Sequence, residues 1–288
     1  MAQRLVSVWG NFFLSEKRGV EALEAAAELD ELGFHRLWFS AGFGSGVPAR
    51  FAEILDATKR IGIAPGILSV WHATPAEAAA FTAAAERDHA GRFLLGLGAS
   101  HAPIVEAGGA DHSKPYTKVV EYLDELDATD PPVRPEQRVL AALGPRMLKL
   151  SAERSLGAHP YFVPAEHTAE ARAILGPKPL LAPEVAVVVD PNAETARATA
   201  RRYMAGYLQL PNYTQNLRRI GWTDEDLLDG GSDKLVDALI PWGDVEKVVA
   251  GLERHYAAGA DEVTIQVLSD VPGYPADAFR QLAGALIG

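Results

Sequence analysis

The chain has 288 residues, 48% of them hydrophobic and 23% charged, an ordinary globular balance with enough chain for one large α/β domain or two smaller ones. Its 27 Lys and Arg against 38 Asp and Glu leave a net charge of -11, which argues against a nucleic-acid or anionic-membrane surface, and the lack of cysteine excludes disulfides, thiolate catalysis and thiolate metal sites. The apolar runs are too short to span a bilayer and the opening MAQRLVSVWGNFF lacks the basic-then-apolar order of a secretory leader, so a cytoplasmic location is expected.

Short β-branched or aromatic runs alternate with longer Ala/Glu/Leu-rich stretches, about eight times, the pattern of βα units closing into a (β/α)8 TIM barrel. The first strand is expected over Arg4–Trp9 and the first helix from about Glu16 to Leu32, with Gly33 as its cap and His35–Ser40 as the second strand. A helix over Ala49–Arg60 leads into a third strand, Ile61–Leu68. Thr74, Pro75 and Glu77 form an N-cap, a first-turn proline and an acidic first turn, which predicts a helix to about His89. Arg92–Leu97 is the fourth strand, and Gly98–Lys114 reads as a long polar loop of the kind that carries function.

A helix from about Tyr116 to Leu126 and a proline-rich surface loop over Thr129–Pro135 follow. Arg138–Leu143 is then strand five, Pro145–Leu156 a helix, Ala158–Val163 strand six and His167–Leu175 a short helix. Val185–Val189 is the clearest buried strand. The stretch Pro191–Ala258 is helical with breaks at Pro211, Gly230 and Pro241, so an elaborated helical connection precedes the last strand, Glu262–Leu268, and the closing helix, Pro275–Leu286. No linker divides the chain, and a single domain over residues 1–288 is expected.

In a parallel barrel the functional groups gather where the βα loops converge, at the C-terminal strand ends. That rule shortlists Asn11, Ser40 to Phe43, Gly66 to His72, Ser100-His101, Gly144 to Arg146 and Tyr161 to His167. Pro65 to His72 reads either as a strand entering a core or as the wall of a flat ring site, with Gly66 letting the backbone approach closely. His101 is either a solvated loop histidine or a proton donor, and His72 has the same two readings. Gly144, Pro145 and Arg146 make either an ordinary capped helix start or an anion site. Asp261-Glu262 reads as solvated surface, and most other histidines as structural.

Leu37-Trp38-Phe39-Ser40, Leu55 to Ile61 and Gly91 to Gly98 (GRFLLGLG), in this order and spacing, resemble the luciferase-like monooxygenase superfamily. Gly98 to Pro103, Ala141 to Met147, Gly157 to Tyr161, Leu210 to Tyr213, Gly231 to Ala238 and Gly259 to Asp261 are similar to an actinobacterial subgroup of F420-dependent oxidoreductases. The resemblance covers essentially the whole chain. It implies a bacterial-luciferase-like barrel, a homodimer in most relatives, and a mouth that binds coenzyme F420, an 8-hydroxy-5-deazaflavin, for hydride transfer to or from a small organic substrate.

The alternatives are an FMN-dependent two-component monooxygenase and a barrel that binds a coenzyme without turnover. The strand-three bulge of the family often carries a non-prolyl cis peptide behind the ring, and Gly66–Ile67 is the matching position. The expected coenzyme contacts are Ser40, Pro65, Gly66, Ile67, Ser100, His101, Gly144, Pro145, Arg146, Tyr161, Phe162 and Val163. Better-known members carry an acid and a histidine after the Trp-x-Ser of strand two; this chain has Ala41 and Gly42 there, so proton transfer is assigned to His101, then His72.

Overall fold

The structure is a computed structural model and describes residues 4–15, 18–40 and 47–288. Alternation of strand and helix follows the sequence pattern. Strand β1 (Leu5–Trp9) leads to α1 (Gly19–Glu31), β2 (Arg36–Phe39) to α2 (Val47–Ala57), and β3 (Gly62–Pro65) with β4 (Leu68–Ser69) to α3 (Pro75–Asp88). Next come β5 (Leu95–Gly98), α4 (Ala102–Ala107), α5 (Pro115–Asp127), β6 (Arg138–Leu140), α6 (Pro145–Arg154), β7 (Gly157–Ala158) and α7 (Ala165–Leu175). Strands β8 (Leu180–Leu181) and β9 (Glu184–Val189) precede α8 (Ala193–Tyr207), α9 (Pro211–Arg219), α10 (Asp233–Leu239), β10 (Trp242–Gly243) and α11 (Val245–Ala257), and β11 (Glu262–Val267) and α12 (Ala276–Leu286) end the chain. The expected start of α1 at Glu16 lies outside the described residues.

All strand pairs are parallel, in the orders β10-β9-β11-β1-β2-β3 and β4-β5-β6-β7-β8. The chain itself joins the two sheets. One seam is β3 to β4, where the Ile63 amide donates to the Arg92 carbonyl and the Ile63 carbonyl accepts from the Leu94 amide, just before β5; the other is β8 to β9, where the Glu184 amide donates to Pro160 beyond β7. With each seam counted as one strand and β10 as an added edge, the ring has the eight positions of a (β/α)8 barrel. β10 lies on the β9 edge that the two-residue β7 is too short to reach, the Val188 amide donating to Pro241.

Side chains alternate across the ring with the period of two that a strand imposes. Val8, Leu37, Ile63, Leu97, Val185 and Ile265 pack outward in the main core shared with the helices. Trp9, Trp38, Ala64, Leu94, Val139 and Ala182 fill the interior. Two indoles fit because their neighbours are small: a Cβ on Gly96 would stand 2.0 Å from the Pro65 carbonyl oxygen and 3.6 Å from the Trp38 ring. The connection over α8, α9 and α10 has its own core, Met204, Tyr213, Leu217, Leu235 and Val236, which meets the barrel through Phe162, Ala186 and Val188.

Several expectations are corrected. Strand three is broken at residues 66 and 67; strand six is only Gly157–Ala158; β8 was not expected at all; and the long polar loop contains α4. In a parallel barrel a strand ends where its neighbour stops pairing, which local composition does not record. The Thr74 cap is as expected, with the reciprocal Thr74 and Glu77 bonds of a capping box. Among the described residues no helix is long and apolar enough to cross a membrane.

Candidate active site at the barrel mouth

The barrel interior is polar along one side, in two tiers. In the lower tier Glu262, read from sequence as surface, is fully buried. Its carboxylate accepts from Ser7 Oγ (2.6 Å), Trp38 Nε1 (2.9 Å) and Arg36 Nη1 (2.7 Å). Burial pushes its pKa up, but the charges of Arg36 and His35 and the Ser7 and Trp38 bonds outweigh this and hold it below the ordinary carboxylate value. Above it the Trp38 ring stacks on His159, centroids 4.0 Å apart and 9° from parallel. His159 Nδ1 donates to the Ala182 carbonyl at 2.6 Å, and burial lowers its pKa to about 4, so the ring is neutral. His159 is a barrel-interior residue; the sequence reading left it among the structural histidines.

The upper tier is built on Glu184, the first residue of β9. It is buried, accepts from the Phe162 amide (3.3 Å) and the Tyr203 hydroxyl (3.4 Å), and among the described residues has no cation beside it. Burial therefore raises its pKa to about 8, against the pull of those two donors, and it is mostly protonated at neutral pH. Tyr203 Oη also stands 2.9 Å from Tyr161 Oη and 3.2 Å from Gln266 Oε1, so its one proton is shared among three neighbours; Tyr161 Oη donates to Gln266 Oε1 (2.9 Å) and lies 2.9 Å from Tyr207 Oη. Burial, then the Glu184 charge, keeps the Tyr161 and Tyr203 phenols well above their usual pKa. Sequence reasoning missed Glu184, Tyr203, Tyr207 and Gln266; a carboxylate heading the run VAVVV and tyrosines four apart in α8 were the available signals.

The Gly66–Ile67 peptide is cis and both residues are half-buried at the mouth. A Cβ on Gly66 would meet Trp9 Nε1 at 3.1 Å, His159 Nε2 at 3.3 Å and the Trp38 ring at 3.3 Å, so only glycine lets the bulge settle on this aromatic floor. Ile67 lies over Gly98 and Ala141. Ser40, exposed at the end of β2, donates its amide to Asn11 Oδ1 at 2.9 Å. Ala41 and Gly42 lie outside the described residues.

Tyr161 packs against Trp9, centroids 5.5 Å apart, beside the Gly66 floor. Phe162 has φ 57° and is buried against Tyr207, and Val163 is buried too, so this turn is committed to the core of the helical connection. Ser100 has φ 59°. His101 caps α4, with Nδ1 at 3.2 Å from Asn212 Oδ1 and its ring 5.3 Å from Tyr213; burial lowers its pKa. Tyr213 stands 6.3 Å from Tyr161, which links His101 to the upper tier. Gly144 and Pro145 open α6, while Arg146 is exposed with its guanidinium 3.7 Å from the Tyr116 ring centroid. His72 is exposed beyond β4 and stands apart.

A cleft of about 270 Å³ opens between the loops that follow β1 and β11. Trp9, Asn11 and Gln266 line it on the barrel side, and Phe12, Tyr274 and Phe279 on the outer side.

A (β/α)8 barrel with titratable groups and a cleft at its C-terminal mouth has the build of a barrel enzyme. The family can be named: the model of the luciferase-like monooxygenases matches residues 14–262, and the chain belongs to that family. No curated protein sequence matches it. Among solved structures it is similar to an F420-dependent secondary alcohol dehydrogenase in complex with an F420-acetone adduct (TM-score 0.73, 16% identity, 99% of each chain covered). It is also similar to the coenzyme F420 dependent tetrahydromethanopterin reductase from Methanopyrus kandleri (0.74, 15%, covering 100% of this chain and 99% of that one). A third is the oxygenating constituent of 3,6-diketocamphane monooxygenase from Pseudomonas putida in complex with FMN (0.69, 16%, 99% and 97%). These likenesses concern the fold.

Proposed function

We propose that this chain is a coenzyme F420-dependent oxidoreductase acting on a small organic substrate. The observation that carries the reading is the seat at Gly66–Ile67: a half-exposed backbone face without a Cβ, floored by Trp9, Trp38 and His159, which fits a flat ring system. Pro65, Ile67, Ser40 and Ser100 would border that ring, and Gly144 to Arg146 would meet its phosphate-bearing tail. When bound, the deazaflavin supplies or accepts hydride at C5.

The chain's part is to orient, exclude water and handle a proton. Tyr161 is well placed for the proton, because it packs against Trp9 at the seat and its Oη joins the hydroxyl chain to the neutral carboxyl of Glu184. His101, neutral and held by Asn212, reaches the same tier through Tyr213 and closes its far side.

Titration of the purified protein with F420 tests the reading. Saturable quenching of the coenzyme at micromolar concentration is expected, and unchanged absorbance and fluorescence would overturn it. Tight FMN binding with oxygen consumption on reduction would instead place the chain with the monooxygenases of its family.

A further inference from the structure

We propose that the cleft between the β1 and β11 loops is the substrate subsite, and that it selects a small ring-bearing molecule presenting an acceptor oxygen, a carbonyl or a carboxylate, to Asn11 and Gln266. The inference rests on the mouth being the active site and adds the class of substrate. Its walls suit a ring: Phe12 and Tyr274 lie 5.7 Å apart, and Tyr274 stacks on Phe279 at 5.6 Å. The cleft volume, about 270 Å³, is enough for one substituted aromatic ring.

Its polarity is set by how two carboxamides are held. Asn11 Oδ1 is taken by the Ser40 amide, and Gln266 Oε1 by the Tyr161 hydroxyl, with Tyr203 Oη 3.2 Å from the same oxygen. A carboxamide is planar, with its oxygen and its NH2 on opposite sides, so fixing the oxygen turns the two N–H donors the other way. Neither NH2 group has an acceptor among the described residues, and both residues line the cleft.

The orientation of Gln266 follows from its neighbours. Tyr161 Oη donates to its Oε1 at 2.9 Å and Tyr203 Oη stands 3.2 Å from the same oxygen, so the carbonyl faces the phenols and ends their hydroxyl chain. Among the described residues no acidic side chain lines the cleft, while Arg18, 3.8 Å from the exposed Glu21 carboxylate, stands at its rim, Nη1 being 3.4 Å from where a Cβ of Gly273 would lie and the guanidinium 5.3 Å from the Phe12 ring centroid. In a chain of net charge -11 this is a local field that favours an electron-rich oxygen.

Fluorine NMR on the coenzyme-free protein tests the proposal with para-fluoroacetophenone, para-fluorobenzoate and para-fluorotoluene. At least one of the two oxygen-bearing probes should bind saturably, about tenfold or more tighter than the toluene. Asn11→Asp and Gln266→Glu keep side-chain shape but replace the NH2 donors with oxygen, and each should weaken that probe about tenfold. Arg18→Gln should weaken the benzoate and spare the acetophenone, which separates the two sources of the acceptor. Equal binding of the toluene, no binding of any probe, or both carboxamide variants binding like the parent would overturn it. Because no coenzyme is present, these outcomes are independent of the F420 titration: failure there with probe binding intact would remove the coenzyme and leave the cleft.

Discussion

Glu262 and Glu184 sit on adjacent strands of one barrel interior, both buried, and they are in opposite states. Register pairs Glu184 with Thr264, so the carboxyls are two residues apart along the ring's inner face. Glu262 has Arg36 against it and is ionised; Glu184 has only an amide and a phenol and is largely protonated at neutral pH. The difference is a cation, since burial acts on both in the same sense. It divides the barrel into a charged plug below the Trp38–His159 stack and a neutral, proton-bearing tier above it, where the mouth opens.

The sharpest way to break this contrast is Arg36→Met, which would leave Glu262 as an uncompensated buried carboxylate. A loss of about 3–5 kcal/mol in urea unfolding at neutral pH is expected, shrinking as acid neutralises Glu262. A loss within error of zero would mean that the arginine does not hold the plug.

A smaller effect with a definite pH signature is expected for Glu184→Gln. A carboxyl whose folded pKa is raised contributes fully below its unfolded value, near 4.5, and loses that contribution as pH climbs to about 8. The glutamine variant lacks this loss. Its melting temperature relative to the parent should rise across that window and level off above it; a gap independent of pH would contradict a protonated Glu184.

The mildest change is Tyr203→Phe, at about 1 kcal/mol of stability for one buried hydroxyl. Because the Tyr203 bond holds the Glu184 pKa down, its removal should move the carboxyl's titration to higher pH, visible as a shift of the same melting profile. An unchanged profile would detach Tyr203 from Glu184.

Much of this molecule was readable in one dimension. The Thr74-Pro75-Glu77 cap, the Val185–Val189 run, Gly33 with φ 89° after α1, and the alternation that makes a barrel are all local, because a helix or strand is written in the period of its own side chains. Family resemblance pointed to residues 66 and 67, and the peptide between them is cis.

The tertiary structure alone decided what the buried polar residues are. Glu262 looked like surface because its partner Arg36 is 226 residues away in the chain, and Tyr161 reaches Gln266 across 105. β8 was missed and β7 was expected too long, because neighbouring backbone defines such short strands. Whether a carboxyl is an ion or a proton store depends on which charges folding brings beside it, and no sequence window contains that distance.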